Sequence, residues 1–272
     1  MEQEKWQSEL QQKWLLSGER MDELMHHGIK IIQSDEVFSF SMDAVLLSHF
    51  VRLPRGGKII DLGTGNGVIP LLLSTRTSAQ IEGVEIQERL ASMATRSVQL
   101  NRLQEQITIH HMDMKEAPVR LGYGQYDVVT CNPPYMPVTQ PELAHLNKRE
   151  PVAIARHELL VTMEEVVRAS SELLRYGGRV AYVYHASRLA ELMYTMRTYR
   201  IEPKRLRTVH PRAHLEANMV LVEGVRNGRP ELKVLPPLIV YADGEQYTKE
   251  IMEIYYGKDE DNTDPSRTTS SH

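Results

Sequence analysis

The feature that most constrains this chain is the alternation, through its middle, of short β-rich runs with segments of helical period. That is the pattern of a mostly parallel sheet covered by helices on both faces. Lys58-Ile59-Ile60-Asp61-Leu62 is the first strong strand. A turn at Gly63 to Gly67 follows, and then an apolar run, Val68 to Leu73, suited to a helix packed on the sheet. Gln80 to Ile86 reads as the second strand. Leu90, Ala94 and Val98 share one helix face within Gln87 to Leu103, and Ile107-Thr108-Ile109 is β-branched again. Tyr126 to Thr130 is another buried strand, and Met163, Val166, Val167, Leu173 and Leu174 mark a helix that Gly177-Gly178 stops. Val180 to Tyr184, an amphipathic helix through Leu189, Leu192, Met193 and Met196, a strand at Ala217 to Glu223 and a helix at Thr248 to Tyr256 complete the pass. The 272 residues suffice for one large α/β domain, expected over residues 33–257. Residues 1–32 read as a polar, helical extension without strand signal, and residues 258–272 as an acidic, disordered tail.

The glycine turn carries the first chemistry. Asp61-Leu62-Gly63-Thr64-Gly65-Asn66-Gly67 joins a strand to a helix, where open α/β sheets bind cofactors. Glu85 ends the next strand, where a carboxylate can grip both hydroxyls of a ribose. A dinucleotide loop calls for G-x-G-x-x-G, but Val68 occupies the place of its third glycine. A cofactor with a ribose and an amino acid end but no pyrophosphate fits better, and S-adenosylmethionine is one. Asp61 then faces its cationic groups, and Asp113, past the third strand, accepts a hydrogen bond from its adenine. Singly, each acid reads as a solvated strand end; at the ends of three successive strands around one glycine loop they read as a pocket.

Asn132-Pro133-Pro134-Tyr135 directly follows a fourth strand. An amine conjugated to a planar ring is a poor nucleophile, and fixed acceptors for its hydrogens favour a pyramidal nitrogen. The Asn132 side-chain oxygen and the Pro133 carbonyl are such acceptors, Pro134 locks the turn, and Tyr135 offers a stacking face. Base–aromatic stacking is worth about 1–3 kcal/mol.

With Glu85, the glycine loop resembles the first motif and acidic partner of class I methyltransferases, and Asn132 to Tyr135 resembles the N-P-P-Y motif of amino-methyltransferases. Phe38 to Leu47, which holds Asp43, resembles a segment bordering the cofactor pocket in the bacterial tRNA1(Val) adenine-37 N6-methyltransferase family. Ala155-Arg156-His157-Glu158 and Val209 to Gly257 also resemble that family. One departure is Ser41-Met42 before Asp43, where that family often has Gly-Thr. The resemblance implies a Rossmann-like, seven-stranded, mostly parallel sheet ending in an antiparallel hairpin, with helices on both faces. It also implies S-adenosylmethionine as donor, held by Asp43, Asp61, Gly63, Thr64, Gly65, Gly67, Glu85, Asp113 and Asn132, and an anticodon-loop adenine as acceptor.

The net charge of −4 gives no global preference for nucleic acid, so a tRNA footprint must be local. Candidates are Lys148, Arg149 and Arg156 after the catalytic loop, and Arg205, Arg207 and Arg212 in a basic stretch between His185 and Lys233. The single cysteine, Cys131, permits no intramolecular disulfide, and the His pairs lack supporting ligands, so no metal is expected. No signal-peptide layout or membrane-length apolar run is present, and a cytoplasmic monomer is expected. The motif alone leaves open a protein glutamine amide as acceptor. DNA adenine methylation wants a recognition domain for which little chain remains, and an intact Asn132 to Tyr135 argues against a non-catalytic cofactor- or RNA-binding module.

Overall fold

A computed structural model of the chain describes residues 14–24, 28–34, 42–133, 161–242 and 244–257. The strands are β1 (Arg20–Leu24), β2 (Ile29–Gln33), β3 (Lys58–Leu62), β4 (Gln80–Glu85), β5 (Ile107–His111), β6 (Tyr126–Cys131), β7 (Leu174–His185), β8 (Ile201–His210), β9 (Met219–Arg226), β10 (Lys233–Val234) and β11 (Leu238–Ile239). The helices are α1 (Met42–Phe50), α2 (Val68–Ser74), α3 (Glu88–Leu100), α4 (Ala117–Leu121), α5 (Met163–Leu173), α6 (Leu189–Thr198) and α7 (Lys249–Tyr256).

Seven strands run side by side in the order β5-β4-β3-β6-β7-β9-β8, and the two-residue strands β10 and β11 both pair with β8. From β5 to β7 every pairing is parallel; β9 is antiparallel to both β7 and β8. The strand order reverses between β3 and β6, which opens a crevice at their carboxyl ends. Because β9 runs backwards, β8 again points its carboxyl end, at His210, toward the same edge.

Period-two alternation splits the core into two layers. Ile59, Ile81, Val128, Ala181 and Leu221 face α1, α2 and α7, while Ile60, Val84, Val129, Tyr182 and Val222 face α5 and α6. The carboxyl terminus of α1 is tied to that of α2, since the Arg76 guanidinium donates to Ser48 O and Val51 O. Both helices therefore start at the crevice edge. A capping box between Thr162 and Glu165 starts α5, and the Thr248 side chain caps α7.

The structure corrects the helical reading of the extension within residues 20–33, while residues 1–13 lie outside the described residues. Arg20–Leu24 and Ile29–Gln33 pair as an antiparallel hairpin instead. Its polar composition hides the strands, because their partners come from α3: Ile32 N donates to Ser97 Oγ at 3.0 Å, and Asn101 bonds both Lys30 N and Lys30 O. Arg96 holds Glu19 at 2.6 and 2.8 Å, with the Glu19 side chain fully buried. Glycine at Gly177-Gly178 does not end α5 either; the helix stops at Leu173 and the chain passes straight into β7.

Candidate active site at the carboxyl edge of the sheet

Asp61 and Thr130 are register partners on β3 and β6, and the Thr130 hydroxyl donates to Asp61 Oδ1 at 2.6 Å. Asp61 has no exposed surface. Burial, opposed by the Thr130 bond and the nearby Thr64 hydroxyl and reinforced by the charge of Glu85, pushes its carboxyl up to about 7. On β4, Glu85 accepts Gly65 N and Gln87 N, each at 2.9 Å, and its burial outweighs those amides to raise its pKa. Glu85 thus already shapes the loop it was expected to face.

The loop is compressed from two sides. A Cβ added at Gly67, whose φ is 88°, would stand 3.1 Å from Ala94 Cβ of α3, and one added at Gly83 would stand 3.0 Å from Thr64 Cγ2. Gly63 N and Thr64 N both donate to Val84 O at 2.9 Å. The backbone is therefore set before any ligand arrives.

Five buried side-chain atoms lack a hydrogen-bond partner among the described residues, and three belong to this crevice: Asp61 Oδ2, Thr64 Oγ1 and Asn132 Oδ1. A buried polar atom left unsatisfied costs about 1–3 kcal/mol, so three at one strand junction form a cradle for a polar ligand. A sulfonium and an ammonium beside Asp61, and an amine hydrogen on Asn132, match this set of acceptors. Asp113, just past β5, accepts Lys115 N at 2.9 Å and pairs with Lys115 Nζ at 3.3 Å. Asp43 lies in the first turn of α1, at the same edge, where its charge helps raise the Tyr255 hydroxyl after burial and Tyr247. Cys131 is buried beside Asn132, and burial raises its thiol pKa well above the ordinary value, which leaves it protonated.

Asn132 and buried Pro133 stand at the end of β6; Pro134 and Tyr135 lie outside the described residues, as do Lys148, Arg149 and Arg156. The basic stretch does not form one face. Arg205 points inward: it pairs with buried Glu223 at 3.2 Å and lies 4.5 Å from the Phe50 ring centroid. Arg207 grips Glu250 of α7 at 2.7 and 2.8 Å and donates to Pro236 O. These two arginines brace the sheet against α1 and α7 and are withdrawn as RNA contacts. Arg197, Arg200 and Lys204 sit near the start of β8, at the opposite edge from the crevice. Arg212 alone of the three β8-region candidates follows His210 on the crevice side.

Among the described residues no group of three potential ligands gathers for a metal, and no helix is long and apolar enough to cross a membrane. His110 pairs with Glu82 at 2.6 Å, and His210 bonds Thr208 and Leu215 O. Thr130 and Asn66 were missed as site residues. Thr130 is signalled only by register against Asp61, and Asn66 by its place between two glycines.

The family model described as the methyltransferase small domain matches residues 28–149. A tRNA1(Val) (adenine(37)-N6)-methyltransferase of Porphyromonas gingivalis is 30% identical over 188 residues, covering 66% of this chain and 72% of the relative. Its counterpart in Aeromonas hydrophila is 27% identical over 183 residues, covering 66% and 73%. Among solved structures, a predicted O-methyltransferase of Agrobacterium tumefaciens superposes with a TM-score of 0.63 at 22% identity, over 79% of this chain and 96% of that one, a likeness of fold. With the sheet order, the glycine loop and the Asn132 turn in hand, these similarities mean that the chain belongs to the tRNA1(Val) (adenine(37)-N6)-methyltransferase family.

Proposed function

We propose that this protein methylates the exocyclic N6 amine of an adenine in tRNA, adenine 37 of tRNA1(Val), as a cytoplasmic monomer. The observation that carries the reading is the buried Asn132 Oδ1, without a hydrogen-bond partner among the described residues, next to the Asp61–Thr130 pair at the sheet's switch point. S-adenosylmethionine, when bound, supplies a methyl group on a sulfonium that needs no further activation as a leaving group. Glu85 is the residue for its ribose, Asp61 for its cationic end and Asp113 for its adenine; Gly63, Thr64, Gly65 and Gly67 supply the loop around it, and Asp43 borders it. Asn132 Oδ1 and the Pro133 carbonyl accept the two amine hydrogens of the target, so the nitrogen lone pair leaves the ring system and is aimed for attack. Pro134 stiffens that turn and Tyr135 stacks on the base. No residue need remove a proton before transfer, because the amine becomes acidic only once alkylated. Lys148, Arg149, Arg156 and Arg212 orient the RNA through its phosphates, which fixes register without reading sequence.

The test incubates the protein with isotopically labelled S-adenosylmethionine and unmodified total tRNA, followed by digestion and mass spectrometry of nucleosides. Labelled N6-methyladenosine is expected. No labelled nucleoside, with cofactor binding intact, would transfer the reading to a protein glutamine amide. Asn132→Ala is expected to lower turnover about a hundred- to a thousandfold, in the range seen when a preorganised polar group is removed, while cofactor affinity stays near wild type.

A further inference from the structure

Among the described residues, a polar contact joins the amino-terminal hairpin to the glycine loop. Asn66, 3% exposed between Gly65 and Gly67, donates from Nδ2 to Ile32 O at 3.1 Å. Ile32 is itself fixed on three sides: its amide donates to Ser97 Oγ, its carbonyl accepts from Asn66, and its side chain packs with Leu90 and Met93 of α3. The next residues are also secured, since Arg89 Nη2 donates to Ser34 Oγ at 3.1 Å. The hairpin is thus anchored along α3 and reaches over to hold the middle of the loop.

We propose that Asn66 is a positioning residue that, through Ile32 of the hairpin, keeps the glycine loop in the shape that receives S-adenosylmethionine. Gly65 and Gly67 flank it with φ of 59° and 88°, conformations that give the loop freedom to relax once the side chain between them lets go. Relaxation there withdraws Gly65 N from Glu85 and Thr64 from its place beside Gly83. Both contacts shape the cofactor site and neither touches the methyl acceptor. The inference rests on the reading of this loop as the cofactor site.

The prediction is a split in which affinity changes and chemistry does not. Asn66→Ala should weaken S-adenosylmethionine binding about tenfold by calorimetry and raise its KM by a similar factor, the worth of roughly one buried hydrogen bond. Turnover at saturating cofactor should stay within about twofold, since the lost contact serves ground state and transition state alike. Asn66→Asp keeps the shape but turns an acceptor toward Ile32 O, and should bind more weakly than Asn66→Ala. Arg175→Ala, which breaks the ion pair with Asp127 away from both hairpin and loop, should leave S-adenosylmethionine affinity at the wild-type value and controls for general destabilisation.

Coupling is reciprocal, so in the unaltered protein added S-adenosylmethionine should slow amide exchange across Ile29–Gln33. Wild-type affinity in both Asn66 variants overturns the proposal, and so does unchanged hairpin exchange, even where the variants fold poorly. Failure of the adenine N6 reading looks different: no methylated nucleoside, with cofactor affinity and its dependence on Asn66 retained.

Discussion

Burial holds the Asp61 carboxyl protonated up to a pH of about 7, whereas the same residue in an unfolded chain releases its proton near 3.8. Between those values the folded protein binds more protons than the unfolded one, so this residue's contribution to stability falls as pH rises through that window and is lowest above it. Asp61→Asn should therefore stabilise the cofactor-free protein by about 2 kcal/mol at pH 8, with the gain shrinking toward pH 4, as read from denaturant midpoints at several pH values. Ligand binding responds in the opposite sense. A cation beside Asp61 requires the carboxylate, so S-adenosylmethionine affinity should climb about tenfold per pH unit from about 5.5 and level off above 7. Calorimetry that finds a flat profile between pH 5.5 and 7 would detach Asp61 ionisation from binding.

At the scale of elements, β8 teaches how far local pattern reaches. Its arginines at alternate positions resemble a solvated basic face, yet Arg205 turns inward to buried Glu223 and Arg207 is tied to Glu250 of α7, 18 and 43 residues further along the chain. Nothing in a window around β8 announces those partners. The amino-terminal hairpin was obscure for the same reason: Ser97 and Asn101, which bond its second strand, and the core that takes Leu24, Ile31 and Ile32 all lie far along the chain. The glycine loop, Glu85 and Asn132 were legible because each stands where a strand of clear period ends, and sheet order does the rest. The buried pair makes a measurable claim. Arg205→Ala leaves buried Glu223 with the Arg52 amide but no cation and should cost about 3–5 kcal/mol, while Arg205→Met combined with Glu223→Leu, which also strips that amide of its acceptor, should recover most of that loss. Urea midpoints of the two proteins decide it, and equal losses would mean that packing against Phe50, not charge, dominates.

For the whole molecule, the two ends of the sheet have different tasks. The crevice, Arg212 and the starts of α1 and α2 share the carboxyl edge, whereas Arg197 and Arg200 occupy the other. Arg212→Glu is expected to raise the KM for tRNA several-fold with turnover little changed, and Arg200→Glu to leave both parameters as they are. Steady-state assays at low and high salt give the check, because a phosphate contact weakens with salt and its loss flattens that dependence.

The hairpin bonds to residues 34 to 71 positions later, and Arg52 N donates to Glu223 across 171 positions. On a ribosome adding about 5–20 residues per second, the hairpin waits several seconds for α3, and α1 waits longer for β9. During that interval Leu24, Ile31 and Ile32 have no core to enter, so the nascent chain presents sticky surface that invites chaperones. Birth order and folding order therefore diverge: the hairpin settles only once α3 has emerged, and α1 only once β9 has.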